Sequence, residues 1–310
     1  MSAVLLIIFN RPSTTQLVFN VLRLAQPSRL YIAADGPRQN NSNDEDNIKL
    51  TRAITEQIDW PCEVKRLYQE NNLGCNLGPR TAFDWFFSHE PEGIILEDDC
   101  IPHIEFFSFA SQMLERYRHN HDIISINGSN LGFRLNNGVS YTFSRFMNMW
   151  GWATWANRAK LIDYTLAEWK LVKYPIWFLY RHLNQYLFDT DIHWFKYWKH
   201  KFDLTVTRDL ISWWDWQWIY HQITHHKLSI VPAVNLVSNV GFNEDATHTS
   251  EGDNPAANIP AHSIDSAIIH PQKIIANLDY EEKYVKWVWC YHKRINLFDF
   301  IKGKISSKHQ

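Results

Sequence analysis

The sequence predicts an α/β fold: a mostly parallel central sheet flanked by helices, followed by a helical, aromatic-rich C-terminal part. Three observations predict it. Val4 to Phe9 is an uninterrupted apolar run, as expected of a central strand buried on both faces. Short apolar runs and helix-like stretches then alternate as far as Leu96, the pattern of βαβ units. Polar clusters follow three of the runs, at Asn10-Arg11, Asp35-Gly36 and Glu97-Asp98-Asp99. In open parallel sheets, ligands bind beyond the carboxyl ends of the strands.

Taken in order, Val4 to Phe9 is read as the first strand. Its apolar start has no basic leader and is too short to span a bilayer, so it is not read as a signal peptide. Ser13 to Leu24 places Leu17, Val18, Val21, Leu22 and Leu24 at helical spacing, with Ser13 as the cap. Leu30 to Ala34 is a second strand, Gln39 to Asp46 a polar loop, and Ile48 to Ile58 a second helix. Cys62 to Tyr68 reads as a third strand, Arg80 to Phe87 as a helix, and Gly93 to Leu96 as a fourth strand. A helix from Pro102 to Tyr117 and a strand from Ile123 to Ile126 follow. Tyr164 to Phe202 is aromatic and helical in pattern, and Leu228 to Val240 returns to strand character.

Composition bounds the function. A net charge of -2 supplies no global basic field, so nucleic acid is not an expected partner. Four cysteines without a C-x-x-C pair argue against a zinc knuckle or a disulfide framework, and are read as reduced thiols of a cytoplasmic protein. The 15 Trp, 13 Tyr and 18 Phe suit stacking on sugars or bases, but they also fill cores.

Glu97-Asp98-Asp99 is the strongest local signal. Three adjacent carboxylates repel one another, and either a divalent cation with substrate phosphates in its shell or solvent must relieve them. Asp215 lies within Trp213-Trp214-Asp215-Trp216-Gln217-Trp218. If the indoles desolvate it, it becomes a better base for an acceptor hydroxyl; otherwise it is an exposed acid on an aromatic helix. His248, in Asp245 to Thr249, has the chemistry of a metal ligand, although a His in a polar loop is commonly just solvated. His221 and His225 sit four apart, but Gln222 stands where a zinc protease needs Glu. The Gly128 to Gly132 segment lacks G-x-S-x-G spacing, and neither a Walker lysine nor a G-x-G-x-x-G follows the first strand. Ordinary NTPases and dinucleotide oxidoreductases are therefore disfavoured.

Together these residues resemble a family. The ordered pieces are Phe9 to Pro12, Ala34 to Pro37, Asn72-Leu73-Gly74 with Arg80, Ile94 to Asp99, and Pro102 with Phe106-Phe107. They continue with Trp150 to Trp155, the Asp215 segment, and Asn235 to Phe242 with Asp245 to Thr249. The chain is similar to Rossmann-like GT-A fold nucleotide-diphospho-sugar transferases, and within them to the N-acetylglucosaminyltransferase I type and its bacterial relatives. The resemblance implies a catalytic domain over 1-250, with a nucleotide-sugar half at 1-126 and an acceptor half at 127-250. Residues 251-310 would be an extension packed on it. Asp99, and less directly His248, would hold Mn2+ or Mg2+. Glu97 and Asp98 would contact ribose and donor sugar, Asp35 the base with Asn10 and Arg11 nearby, and Arg80 the diphosphate. Gly151 would face donor and acceptor, and Asp215 would be the general base of an inverting transfer. The family also implies a UDP-sugar donor and a glycan or glycolipid acceptor; residues 164-202 have no clear counterpart in it and are read as shaping the acceptor site, so the identity of the acceptor does not transfer.

Two other readings compete. A sugar nucleotidyltransferase shares the sheet and metal, but opens with a Gly-rich basic loop where this chain has Asn10-Arg11-Pro12-Ser13. A non-catalytic glycan-binding protein would need neither the acidic triplet nor Asp215. The tail carries Lys283, Lys286, Lys293, Arg294, Lys302 and Lys304 among Trp287, Trp289 and Phe298. It reads as either a packed helix with a solvated basic side or a peripheral contact with the inner face of a membrane.

Overall fold

The computed structural model describes residues 1–39, 41–135, 138–171, 192–207, 213–242, 257–265 and 267–286, the side chains of 192–196 excepted. The chain opens with β1 (Val4–Ile8), α1 (Pro12–Ala25), β2 (Arg29–Ala34), α2 (Asn43–Thr55), β3 (Glu63–Tyr68), α3 (Gly74–His89) and β4 (Glu92–Glu97). Next come β5 (Cys100–Pro102), α4 (Glu105–Tyr117), β6 (Ile123–Asn127), β7 (Tyr141–Ser144), β8 (Trp152–Trp155) and α5 (Ala156–Ala159). The described part continues with α6 (Ala167–Leu171), α7 (Ile192–Thr207), α8 (Asp215–Thr224), β9 (Leu228–Pro232) and β10 (Val237–Asn239), and residues 278–286 are helical.

The expected α/β class is what forms. One eight-stranded sheet runs in the order β3-β2-β1-β4-β8-β6-β9-β7, with a separate β5-β10 ribbon. Four of the seven pairings in the large sheet are parallel, and the β3-β2-β1-β4 half is parallel throughout. That half has the strand order of a Rossmann-like nucleotide-binding unit. β8 enters antiparallel between β4 and β6.

Several boundaries differ from the sequence reading, each for a local reason. Pro12 occupies the start of α1, where its missing N–H costs nothing, so Ser13 lies inside the first turn and is not the cap. The Thr15 hydroxyl donates to the Arg11 carbonyl at 2.7 Å there. The presumed loop before Ile48 is helical from Asn43, because Asp44, Glu45 and Asp46 in the first turn complement the helix dipole. α3 begins at Gly74, ahead of Pro79. α4 begins at Glu105 because Cys100–Pro102 is used as a strand against β10. The run from Leu228 to Val240 divides into β9 and β10.

The period of two along the strands divides the core between the two faces of the sheet. Leu5, Ile95 and Trp152 face one cluster, with Phe83, Trp214 and Trp218 packed over them. Leu6, Leu96 and Ala153 face the other, with Phe106, Phe107 and Met113. The aromatics are thus mainly core: Trp152, Trp155 and Trp218 are fully buried, and Trp169 and Trp198 are nearly so. No helix among the described residues is long and apolar enough to cross a membrane. Lys283 and Lys286 of the expected basic tail form ion pairs with Asp279 and Glu282 one turn away, and residues 287–310 lie outside the described part.

Candidate active site

The chain steps outward from β1 to β2 and β3, then returns to β4 on the other side of β1. The loops leaving β1 and β4 therefore diverge at their carboxyl ends, opening the crevice in which such sheets take their ligands. Asn10-Arg11 leaves β1 there, and Glu97-Asp98-Asp99 leaves β4.

Asp98 and Asp99 are both buried. Asp98 accepts the Phe9 N–H on Oδ2 at 3.1 Å, and its Oδ1 lies 3.4 Å from Arg11 Nη1. The same Nη1 donates to Asp99 Oδ2 at 2.6 Å. Burial pulls the Arg11 guanidinium toward losing its proton, but Asp98 and Asp99 outweigh it and raise its pKa. One guanidinium does not satisfy three acids. Burial lifts Asp98 to about 7 against the pull of Arg11, with Asp99 adding to the rise. Burial, then the charges of Asp99 and Asp98, push Glu97 well above the carboxylate range. The repulsion expected from sequence is present at this strand end.

The β5-β10 ribbon closes the far side of the triplet. Asn239 pairs with Cys100, and the Val240 N–H donates to the Asp99 carbonyl at 2.9 Å. Gly241 then passes so close that any Cβ there would overlap Asp99 Oδ2. From sequence alone this glycine falls within the Asn235 to Phe242 piece and carries no role of its own. Its signal was its place after an Asn-Val pair, which no local rule distinguishes.

Asp215 is the first residue of α8 and is half-buried. Trp214 stands before it, edge-on to Phe83 at 4.8 Å and stacked on Trp152 at 5.9 Å. Trp218, one turn on, meets Trp152 edge-on at 4.8 Å. The indole cluster therefore works from inside and fixes where α8 starts. Trp213 and Trp216 stack on each other at 4.0 Å. Period two puts Glu97 on the same sheet face as Ile95 and Trp152, and the Asp215 charge contributes to the raised pKa of Glu97. The fold thus brings the triplet and Asp215, more than a hundred residues apart, to one place.

The neighbouring strand end is organised by two further carboxylates. Asp35 accepts four hydrogen bonds: from the Gly36 and Leu73 N–H groups at 2.9 and 2.8 Å on Oδ1, and from the Gly74 N–H and Asn72 Nδ2 at 2.9 and 3.0 Å on Oδ2. It caps α3 from an adjacent strand. Burial raises its pKa against those backbone donors. Asn10 donates to Asp44 Oδ1 at 2.8 Å, and Arg38 grips the same carboxylate with Nε and Nη2, both at 2.7 Å. Asp44, which the sequence reading placed in a loop, is fully buried. Beside this network, Pro37, Arg38, Asn41, Ser42, Glu45 and Asn71 help line an open cleft of about 500 Å³.

The remaining expected positions have these surroundings. The Arg80 guanidinium donates to Asn76 at 3.3 Å and covers the Tyr164 ring at 4.3 Å, with its buried Nε unpartnered. Tyr164 accepts the Trp218 indole N–H at 3.0 Å, so Arg80 reaches α8 through an aromatic relay. Gly151 has φ of 61° and is buried against β10, where an added Cβ would lie 2.7 Å from Val237. That packing alone requires glycine. His248 lies outside the described residues. His221, packed on His225 at 4.1 Å, is pushed down to about 4 by burial first and then by His225 and Lys227, as a core histidine.

Among the described residues, no three His, Cys, Asp or Glu side chains form a ready-made metal cage. The oxygen donors at Asp98 and Asp99 nonetheless suit Mg2+ or Mn2+, which bind through one or two carboxylates and complete their shell with substrate phosphate and water. Burial first, and neighbouring carboxylate charge after it, raise Glu97 and Asp98, and a cation beside them would favour their ionised forms.

No protein-family model matches the chain, and no curated protein matches it. Solved structures that resemble it include mouse xyloside xylosyltransferase 1, at 11% identity over 73% of this chain and 82% of the other, with a TM-score of 0.34. The 4-diphosphocytidyl-2C-methyl-D-erythritol synthase of Anaerococcus prevotii is 11% identical over 56% of this chain and 80% of the other, with a TM-score of 0.33. A UDP-glucose pyrophosphorylase solved with UDP-glucose is 11% identical over 46% and 67%, with a TM-score of 0.26.

Proposed function

We propose that this chain is an inverting glycosyltransferase that moves a sugar from a nucleotide-diphosphate donor, a UDP-sugar, onto a hydroxyl of a glycan or glycolipid. The observation that carries the reading is the acidic triplet at the carboxyl end of β4, in the switch-point crevice, with Asp215 close enough for its charge to act on Glu97.

In this reading the nucleoside lies over the ends of β1 and β2, with Asn10 and Arg11 at the first strand end and the Asp35-organised loop beside the open cleft lined by Pro37, Arg38 and Asn71. Glu97 and Asp98 meet ribose and donor sugar, and Arg80 steadies the diphosphate. The loop at Gly151 borders the site between donor and acceptor. Asp99, with His248 as a second ligand, would hold Mn2+ or Mg2+, which would neutralise charge building on the departing diphosphate. Asp215 takes the proton of the acceptor hydroxyl as its oxygen attacks the anomeric carbon. The bond to the diphosphate breaks on the opposite face, and the nucleoside diphosphate leaves. No covalent intermediate with the chain is required.

A thermal-shift panel of nucleoside diphosphates, nucleoside triphosphates, nucleotide sugars and free glycans, each with and without Mn2+, tests this. A ligand of the native state raises the melting temperature by mass action, by RT ln(1 + [L]/Kd) in free energy. The expected result is a shift with a UDP-sugar that needs Mn2+ and disappears in Asp99→Ala. A response to nucleoside triphosphates alone would favour a nucleotidyltransferase. Glycan binding without any nucleotide response would replace the enzyme with a binding protein.

A further inference from the structure

The residue that the resemblance would give to the base, Asp35, is already occupied by its own chain. A carboxylate offers about four lone-pair sites, and four donors fill them. The Gly36 and Leu73 N–H groups take Oδ1, and the Gly74 N–H and Asn72 Nδ2 take Oδ2. A base that hydrogen-bonded to Asp35 would have to displace one of them and loosen the start of α3.

Three residues on, Arg38 is held rigidly beside the cleft. The Asp44 carboxylate, with a side chain 1% exposed, accepts Arg38 Nε and Nη2, both at 2.7 Å, and the Arg38 backbone N–H at 3.1 Å. Asn10 Nδ2 steadies the same carboxylate from the end of β1 at 2.8 Å. Arg38 Cζ stands over the Phe9 ring, 5.4 Å from its centroid. Bidentate pairing uses the edge of a guanidinium and leaves its flat faces for stacking. Phe9 backs the group, yet the Arg38 side chain stays 49% exposed and lines the open cleft of about 500 Å³. The cleft disfavours phosphate: Glu45 and Glu70 line it, both exposed, while Asp44 already answers the Arg38 charge. A flat, neutral ring with an N–H to donate would meet acceptors at its edge and a guanidinium at its face.

We infer that Arg38, clamped by Asp44 and backed by Phe9, is the platform on which the base of the donor nucleotide stacks. Asp35 serves the site indirectly, by capping α3 and fixing the loop beside the cleft. This deepens the transferase reading and rests on it for the identity of the nucleotide. Stacking on a guanidinium is available to any base, so Arg38 supplies affinity for a planar ring, and the polar groups around the cleft are left to tell one base from another.

The test compares UDP with its dihydrouridine analogue, each with Mn2+, by titration calorimetry on the full chain. Saturating the ring puckers it and removes its π face, but keeps both carbonyls and the ring N–H between them. The wild type should bind UDP about tenfold more tightly than the analogue. In Arg38→Lys, which keeps the charge and loses the flat face, the two ligands should bind within about twofold of each other. A merely structural Arg38 would weaken both ligands and leave their ratio unchanged in Arg38→Lys, and that result overturns the platform. Equal binding of the two ligands by the wild type also overturns it, and needs no variant. Should Arg38→Lys fail to fold, Arg38→Leu combined with Asp44→Asn removes the ion pair as a unit and gives the same readout. If the wild type shows the preference and Arg38→Lys loses it, but no sugar reaches any acceptor, the transferase reading falls and the platform stands. If sugar is transferred from a UDP-sugar without the preference, the platform alone falls. A wild type that binds no UDP removes both.

Discussion

Asp44 shows how much one carboxylate can organise. It has no exposed surface, accepts Arg38 in a bidentate pair and receives Asn10. The hydrogen bond from Arg38, against the cost of burial, lowers its pKa to about 2. A depressed carboxylate contributes stability that is full above the unfolded pKa near 3.8 and is lost as pH falls through the folded value. The contribution is about 2 kcal/mol. Asp44→Asn should remove the acid-induced loss between about pH 4 and pH 2 in urea titrations, and a mutant with the wild-type pH slope would refute the assignment. Asp215→Asn belongs to the same scale: kcat should fall about 10²- to 10⁴-fold with Mn2+-dependent nucleotide binding intact, measured by initial rates beside thermal shift. The triplet was legible because three adjacent acids after an apolar run violate ordinary strand-end chemistry. Asp44 was not, since one acid in a polar run carries no mark of the partner that buries it. Asp35 was legible as a strand-end acid, but its four hydrogen-bond donors come from residues 36 and 72–74 and exist only once α3 docks.

At the scale of elements, the β5-β10 ribbon decides the geometry of the site. It holds the 239–241 turn against Asp99, and α4 starts late because the residues before it are spent as a strand. Gly241→Ala forces a methyl into the Asp99 carboxylate, where overpacking costs about 1–3 kcal/mol. Its melting temperature should fall and its Mn2+-dependent nucleotide shift should shrink. A normal nucleotide shift in a stable Gly241→Ala protein would show that this approach does not shape the site. β1, β2 and β4 of the parallel half were readable because burial on both faces demands continuous apolar runs, whereas the edge strand β3 is half-exposed and mixed in polarity. β7 and β8 escaped because they are short, and because Trp152 and Trp155 fit a helix, a loop or a strand equally well until a neighbour is known. α2 was shortened in the reading because its acidic first turn looks like solvent-facing loop, although those charges are what the helix dipole favours.

For the molecule as a whole, the C-terminal helix is integral to the fold through the buried Glu281–Arg145 pair. Breaking a buried pair by removing one charge is costly, so Glu281→Gln should destabilise by about 3 kcal/mol in denaturant titrations; a loss below about 1 kcal/mol, the range of exposed pairs, would count against it. The same linkage ties residues beyond 250 to the Asp215 helix, a dependence that no run of amino acids announced. The sequence by itself determined the class of fold, the succession of the first four strands and the acidic strand end. Those follow from periodicity, apolar continuity and like-charge adjacency, which act between near neighbours. Only the tertiary structure decided that Arg11 answers Asp98 and Asp99, that Gly241 packs against Asp99, and that the Asp215 charge bears on Glu97. These relations join residues from dozens to more than a hundred positions apart. Strand order and helix docking set them, and local sequence does not encode the distances.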